Sequence, residues 1–280
     1  MVRIIAMLVG LVFVTAALIA AVIPREAAEE SIAHRFHIEP QKVAFASDGP
    51  LGRFDRQQLQ RGFQVYKEVC SACHSLRYVA FRNLTDLGFT GPEVKAIASQ
   101  WSTEVPSINP DTGEPATRKA IASDNFPSPY ANETAARAAN NNALPPDLSL
   151  ITKAREGNAA YVHSLLMGYR DPPANLPEES KPTPGLYYNP VYPNLNIAMP
   201  PPLAADGQVT YADGTVATRE QMSKDVSAFL IWTAEPKMED RKRTGLAVVL
   251  FLLIATVLAY LSYQNIWADK KKHGKRTSYT

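Results

Sequence analysis

An uninterrupted apolar run near the C-terminus sets the first limit on how this chain can fold. Residues 246–263 read LAVVLFLLIATVLAYLSY and contain no charged side chain. A run of about 18 apolar residues is long enough for one tilted helix across a bilayer. A helix buried in a protein core would usually keep polar residues on one face. The sequence therefore predicts a C-terminal transmembrane helix at 246–263, followed by a basic tail at 264–280 that includes Lys270, Lys271 and Lys272.

A second apolar run, residues 4–23, follows Arg3 at the other end of the chain. It is longer than the apolar region of a typical signal peptide, and no clean cleavage site follows it. We therefore interpret residues 1–23 as either a signal peptide or an N-terminal membrane anchor. Arg3 and the basic tail both favour the cytoplasmic side. This predicts a bacterial-type inner-membrane protein with residues 24–240 on the periplasmic side and the C-terminus in the cytoplasm.

Charge and composition limit what the region between the two runs can do. Residues 24–238 carry more acidic than basic side chains, although the whole chain has a net charge of +2. An acidic head argues against nucleic acid as a partner and suits electrostatic steering of a basic one. Two cysteines are too few for a disulfide scaffold or a four-cysteine zinc or iron–sulfur site. The 22 prolines indicate long irregular connections.

The pentapeptide CSACH at 70–74 is the pattern to which c-type haem is attached. Cysteines three residues apart share one face of a helix, so Cys70 and Cys73 can both add to the vinyl groups of one porphyrin. His74 follows where its imidazole can approach the iron. Asp55 and Gln58 resemble a capping box, and apolar residues at helical spacing predict a helix that leads into the motif. The sequence therefore predicts one covalently bound haem c.

Two other chemistries fit this cysteine pair less well. A thioredoxin-like dithiol would need a preceding strand and a βαβ setting, and it would have no need of His74. A zinc site would need more ligands, and the other histidines have no paired metal-binding pattern beside them; they are His34, His37, His163 and His273. A dithiol oxidoreductase stays the alternative from a different functional class.

The second face of the iron needs a ligand of its own. Met199 lies in IAMPPPL at 197–203, where three prolines can hold a loop rigid. Met167 lies in an apolar helical run, and the charged surroundings of Met222 and Met238 predict exposed side chains. A thioether ligand suits a high-potential electron carrier. The residues by themselves favour Met199 without excluding the other methionines or the histidines.

Together these segments resemble the cytochrome c1 family, the haem subunits of ubiquinol–cytochrome c oxidoreductase (the cytochrome bc1 complex). The similarity runs from about residue 54 to residue 267. Asn142 stands where some relatives have glycine, and the chain lacks the additional cysteine pair of certain bacterial relatives. The matching segments are RGFQVYKEVCSACHSLRYVAFRNL (61–84), AANNNALPPDLSLITKAR (138–155), YVHSLLMGYRDPP (161–173), GLYYNPVYP (185–193), IAMPPPL (197–203) and DVSAFLIWTAEPKMEDRKRTG (225–245).

The resemblance implies a fold and a set of site residues. The fold would be mainly α: a cytochrome c-type haem domain with long proline-rich insertions, plus one C-terminal transmembrane helix. The helix before Cys70 would cross a late helix over 225–233, and Gly62 would permit their close approach. His74 and Met199 would be the axial ligands of the iron. The haem pocket would include Asn141, Pro145, Arg155 and Tyr161.

Arg155 is the pocket residue for which the chemistry can be stated most specifically. A guanidinium can pair bidentately with a haem propionate. The alternative is that Arg155 is a solvated arginine at a helix end.

The resemblance also implies a role. The haem would accept an electron from the Rieske iron–sulfur protein and pass it to a soluble or membrane-anchored cytochrome c. Quinol oxidation would belong to the cytochrome b subunit, so this chain would be a redox subunit and not an enzyme by itself. Besides the dithiol oxidoreductase, the alternatives are a stand-alone membrane-anchored carrier cytochrome and a purely structural membrane subunit.

Overall fold

The computed structural model describes residues 2–22 and 31–276, which form α-helices and short strands. The helices are α1 (Val2–Val22), α2 (Ile32–Phe36), α3 (Arg56–Val65), α4 (Gly91–Ser99), α5 (Glu133–Ala139), α6 (Ile151–Ala154), α7 (Asn158–Met167), α8 (Arg219–Ala234) and α9 (Met238–Arg276). The strands are β1 (Leu76–Ala80), β2 (Val105–Ile108), β3 (Pro115–Arg118), β4 (Asn125–Phe126), β5 (Tyr187–Tyr188) and β6 (Asn196–Ile197). The strands make three antiparallel pairs, β1–β4, β2–β3 and β5–β6.

Helices α3 and α8 cross at the centre of the head, as the sequence predicts. A Cβ atom at Gly62 would overlap the carbonyl oxygen of Asp225 and would lie 2.7 Å from Cβ of Phe229. Only glycine therefore permits this approach of the two helices. The carboxylate of Asp225 is fully buried and accepts hydrogen bonds from Arg61 Nε at 2.9 Å and Gln58 Nε2 at 3.1 Å. These bonds satisfy a charge that would otherwise be costly to bury.

Only one of the two interactions of the predicted capping box forms at the start of α3. The Asp55 carboxylate accepts hydrogen bonds from the backbone N–H groups of Gln57 and Gln58, as an N-cap should. The Gln58 side chain does not complete the box, because its amide donates to the buried carboxylate of Asp225 on α8. A hydrogen bond to a buried charged group contributes more than a capping bond, so the amide points toward Asp225.

The prediction that Met222 and Met238 are exposed is wrong. Met222 is completely buried and Met238 is 3% exposed. Met222 is buried on α8, whereas the charged residues Arg219 and Glu220 just before it are exposed. Side-chain burial on a helix follows the 3.6-residue period and not the local composition.

Two described helices are long and apolar enough to cross a membrane: α1, and residues Met238–Ala268 of α9. Helix α9 includes the predicted span at 246–263 but extends beyond it at both ends. Its first turns are fastened to the head, since Glu239 accepts from the Phe54 N–H at 2.7 Å and Lys242 donates to the Ser47 carbonyl at 2.6 Å. Cleavage of residues 1–23 stays a prediction, because residues 23–30 lie outside the described residues.

Candidate haem site

The helix that leads into the CSACH motif ends at its first cysteine. Helix α3 passes into a single π-helical turn over Tyr66–Cys70, in which the Ser71 N–H donates to the Tyr66 carbonyl at 2.8 Å. The N–H groups of Cys73 and His74 then donate to the Cys70 carbonyl at 3.1 and 2.9 Å. We predicted that the two cysteines share one face of a regular helix, and this is wrong, because the helix ends at Cys70. A tight turn brings them together, because the wide π-helical turn shifts the hydrogen-bonding register by one residue.

Cys70 and Cys73 are both half-buried and do not form a disulfide. Burial, with a smaller contribution from Cys73, raises the pKa of the Cys70 thiol to about 12. Reactive dithiols depend on a lowered thiol pKa, because the thiolate is the nucleophile. A raised pKa does not mark Cys70 as an activated nucleophile, and it is compatible with cysteines that are used as covalent attachment points.

The imidazole of His74 is held in one orientation by the backbone. Its Nδ1 lies 2.8 Å from the Pro146 carbonyl oxygen. A carbonyl can only accept, so Nδ1 carries the proton and Nε2 keeps its lone pair. Burial lowers the pKa of His74, although Pro146 and Asp147 act in the opposite direction. A neutral imidazole with a free Nε2 and a bonded Nδ1 is the arrangement in which histidine binds a metal.

Asp147 fixes the loop that supplies this carbonyl, and our reading of the sequence missed its role. Its carboxylate accepts hydrogen bonds from the hydroxyl of Ser75 at 2.7 Å and from the N–H groups of Arg77 and Ser149 at 2.8 and 3.0 Å. These bonds join the start of β1 to the loop that contains Pro146. The signal that could have revealed it is the sequence PPDLS at 145–149, an aspartate directly after two prolines with serine two residues on.

The predicted second ligand, Met199, lies on a loop far along the chain from the CSACH turn. Met199 is half-buried and follows β6 by two residues. The hydroxyl of Tyr169 donates to the Met199 carbonyl at 3.0 Å. Among the described residues, no hydrogen bond or ion pair connects the Met199 loop directly to the turn that contains His74.

Two of the predicted pocket residues lie together. Tyr161 is buried on α7, and burial raises its pKa while the neighbouring Arg155 lowers it. Arg155 is exposed at the C-cap of α6, where its guanidinium also donates to the Ala154 carbonyl at 3.1 Å. Arg155 therefore lies beside Tyr161 and also at a helix end. Its role as a partner of a haem propionate stays a prediction.

The other two pocket residues lie in the segment before α6. Asn141 and Asn142 both have left-handed backbones, with φ of 50° and 61°. A left-handed backbone at position 142 is a conformation that glycine adopts readily, which fits our expectation of glycine there in some relatives. The Asn141 side chain packs against Gly185, and Pro145 is half-buried directly before Pro146.

The other candidate ligands are held in ways that suit packing. His163 is buried on α7, and its pKa is lowered by burial. Met167 is half-buried at the end of the same helix.

The donor set on this head fits haem c. Two free thiols and a neutral imidazole with an available nitrogen lie within five residues, and a thioether is held on a separate proline-rich loop. On a mainly helical head with an apolar C-terminal helix, this set defines a membrane-attached c-type cytochrome.

Comparison with known proteins identifies the family. Residues 45–270 match the model of the Cytochrome C1 family. Cytochrome c1 of Rhodospirillum rubrum is 45% identical over 235 residues, which cover 80% of this chain and 85% of the relative. Cytochrome c1 1, heme protein, mitochondrial, of Arabidopsis thaliana is 46% identical over 84% of this chain and 74% of the relative. Cytochrome b/c1 of Bradyrhizobium diazoefficiens is 46% identical over 81% of this chain, which spans only 35% of that longer protein.

The chain therefore belongs to the cytochrome c1 family. Membership confirms the predicted mainly α haem domain and its haem c, and it makes the chain the haem-bearing electron-transfer subunit of a membrane-bound cytochrome bc1 complex. A stand-alone carrier and a dithiol oxidoreductase are not supported.

Proposed function

We propose that this subunit accepts one electron from the Rieske iron–sulfur protein and passes it to a soluble or membrane-anchored cytochrome c. Quinol oxidation then belongs to a cytochrome b subunit, so that this chain does no catalysis alone. The name of the Bradyrhizobium relative joins b and c1, which supports a cytochrome b partner for this chain.

The observation that carries this proposal is the orientation of His74. Its Nδ1 is bonded to Pro146, so Nε2 is the nitrogen that can bind iron. The thioether of Met199 would be the second ligand. Haem c held in this way supplies a one-electron ferric–ferrous couple. Cys70 and Cys73 hold it covalently, while Asn141, Pro145, Arg155 and Tyr161 line its pocket. If His74 and Met199 both bound the iron, no position would be open to a substrate, and the haem would exchange only electrons.

The proposed arrangement in the membrane follows from the two apolar helices and the charges around them. Helix α9 crosses the lipid bilayer, its basic tail lies in the cytoplasm, and the acidic head lies on the periplasmic side. An acidic head in that compartment attracts a basic electron acceptor and raises its rate of encounter.

The substitution Met199→Leu tests the ligand assignment. We expect haem to stay attached through Cys70 and Cys73, the reduction potential to fall, and the ferrous protein to bind carbon monoxide readily. Redox titration and visible spectra of the purified complex measure all three. The control is Met167→Leu, a half-buried methionine on α7, which should leave the potential unchanged. An unchanged potential in Met199→Leu would refute the assignment.

A further inference from the structure

The loop that contains Met199 cannot be held by an ordinary network of backbone hydrogen bonds. Pro200, Pro201 and Pro202 follow the methionine directly, and none of them has an N–H group to donate. The pairing of β5 with β6 ends at Ile197, so it does not reach Met199. The carbonyl groups are therefore the main backbone groups through which the rest of the head can hydrogen-bond to this loop.

Side chains bind the carbonyl groups at both ends of the proline run. At one end the hydroxyl of Tyr169 donates to the Met199 carbonyl at 3.0 Å. At the other end the amide of Gln208 donates to the Pro202 carbonyl at 2.9 Å and accepts from the Ala204 N–H at 2.9 Å. The Tyr169 bond is the one made to the candidate ligand itself.

Tyr169 is itself held on a rigid base. It follows α7 by two residues, and the fully buried Asn189 closes the end of that helix. The Asn189 amide donates to the Leu165 carbonyl at 2.8 Å and accepts from the Val191 N–H at 3.1 Å. A Cβ atom at Gly168 would lie 2.6 Å from the Asn189 side-chain oxygen, so the chain just before Tyr169 packs closely on Asn189. The hydroxyl is therefore presented from a fixed position.

We propose that Tyr169 is a positioning residue for the thioether of Met199, an inference that rests on the proposed role of Met199 as axial ligand. The hydrogen bond to the Met199 carbonyl restricts the ψ angle of Met199. It thereby fixes the direction in which the Met199 side chain leaves the loop. Without the bond, the prolines still keep the loop stiff, but its orientation relative to α7 is no longer set. The thioether then spends more of its time away from the iron.

The substitution Tyr169→Phe removes one oxygen atom and keeps the ring. Loss of a neutral hydrogen bond shifts an equilibrium about fivefold, so the population with a dissociated thioether should rise by that factor. The apparent affinity of the ferrous protein for carbon monoxide should rise about fivefold as well, because only that population binds it. The reduction potential should fall, and the methionine-to-iron charge-transfer band of the ferric protein should weaken.

The matched control is Tyr187→Phe on β5. Tyr187 lies near Tyr169 and is 40% exposed, so its hydroxyl is free to interact with water. All measurements use the complete complex in detergent and are expressed per attached haem, so that a lower yield of one variant does not alter the comparison. A purely structural role of Tyr169 would lower the unfolding temperature without changing carbon monoxide affinity or the charge-transfer band.

The outcomes separate this inference from the function on which it rests. If Met199→Leu changes affinity, potential and band whereas Tyr169→Phe changes none of them, Met199 is the ligand and the positioning role of Tyr169 is overturned. If Met199→Leu itself changes none of them, the ligand assignment fails first. An equal effect of Tyr187→Phe would also overturn the role of Tyr169.

Discussion

Asp147 lies outside the CSACH motif but helps to orient His74, which lies within it. It does not contact the iron ligands as a donor or an acceptor, but its three hydrogen bonds fix the loop that presents the Pro146 carbonyl to His74. Burial opposes ionisation of this carboxyl, whereas the hydrogen bonds from Arg77, Ser149 and Ser75 favour it, and together they lower the pKa of Asp147. The carboxylate is therefore more stable in the folded protein than in the unfolded chain.

We expect Asp147→Asn to lower the free energy of unfolding at neutral pH by about 2 kcal/mol, since hydrogen bonds to a charged group are lost. A folded-state pKa below the unfolded value stabilises the protein at a pH above the unfolded value. That contribution is lost as the pH falls through the folded value. The stability gap between parent and variant should therefore be largest at neutral pH and close in acid. Thermal unfolding as a function of pH measures it.

The control for this experiment is Asp86→Asn, which changes an exposed carboxylate on the segment after β1. A gap of the same size in both variants, or a gap that widens in acid, would contradict the role of Asp147.

Single residues could be predicted from the sequence where their signal is local. Cys70, Cys73 and His74 are adjacent, so their spacing alone indicates haem. The contacts of Asp147 with Ser75 and of Tyr169 with Met199 span 72 and 30 positions. No pattern along the chain reports such a contact, because only the fold brings the partners together.

At the level of elements, the crossing of α3 and α8 is the feature on which the position of the CSACH turn depends. We expect Gly62→Ala to force these helices apart and to lower the free energy of unfolding by about 1–3 kcal/mol, the usual cost of overpacking. Thermal unfolding of the haem-loaded complex, followed by near-ultraviolet circular dichroism, measures this loss.

Gly91→Ala is the matched control, because Gly91 also lies in a helix and a Cβ atom there would meet nothing within 4 Å. It should be neutral or slightly stabilising, since alanine favours helix more than glycine does. If Gly62→Ala proved equally harmless, the close approach of α3 and α8 would not be required.

The helical period predicted α3 with Gly62 on its packing face, and the resemblance implied the crossing with the late helix α8. The π-helical turn at Tyr66–Cys70 and the burial of Met222 could not be predicted in the same way. A π-helical turn has no distinct apolar period, and charged neighbours say little about a residue on the opposite face of its helix. The missed features therefore depend on hydrogen-bonding register and tertiary packing.

At the scale of the whole molecule, the head and the membrane helix overlap in sequence. Met238 is buried in the head, and Glu239 and Lys242 of α9 bind backbone groups of residues 47–54. The head therefore extends past the boundary at residue 240 that we predicted.

With residues 1–23 removed after export, truncation after residue 245 should consequently release a soluble head with its visible spectrum and its potential unchanged. Truncation after residue 237 should give a head with a lower unfolding temperature, because it lacks the buried Met238 and the contacts of the first turns of α9. The soluble fraction is assayed by haem staining and by thermal unfolding. Equal stability of the two products would show that these turns belong to the membrane helix alone.

Helix α9 is one continuous element of 39 residues, about 58 Å long at 1.5 Å per residue. The first turns of α9 are bonded to the head, and the helix continues from there without a break. The head and this helix therefore form one unit. The fastened base leaves the head little freedom to turn about the first residues of α9. We therefore expect most of the movement that brings redox centres within tunnelling range to come from the partner proteins.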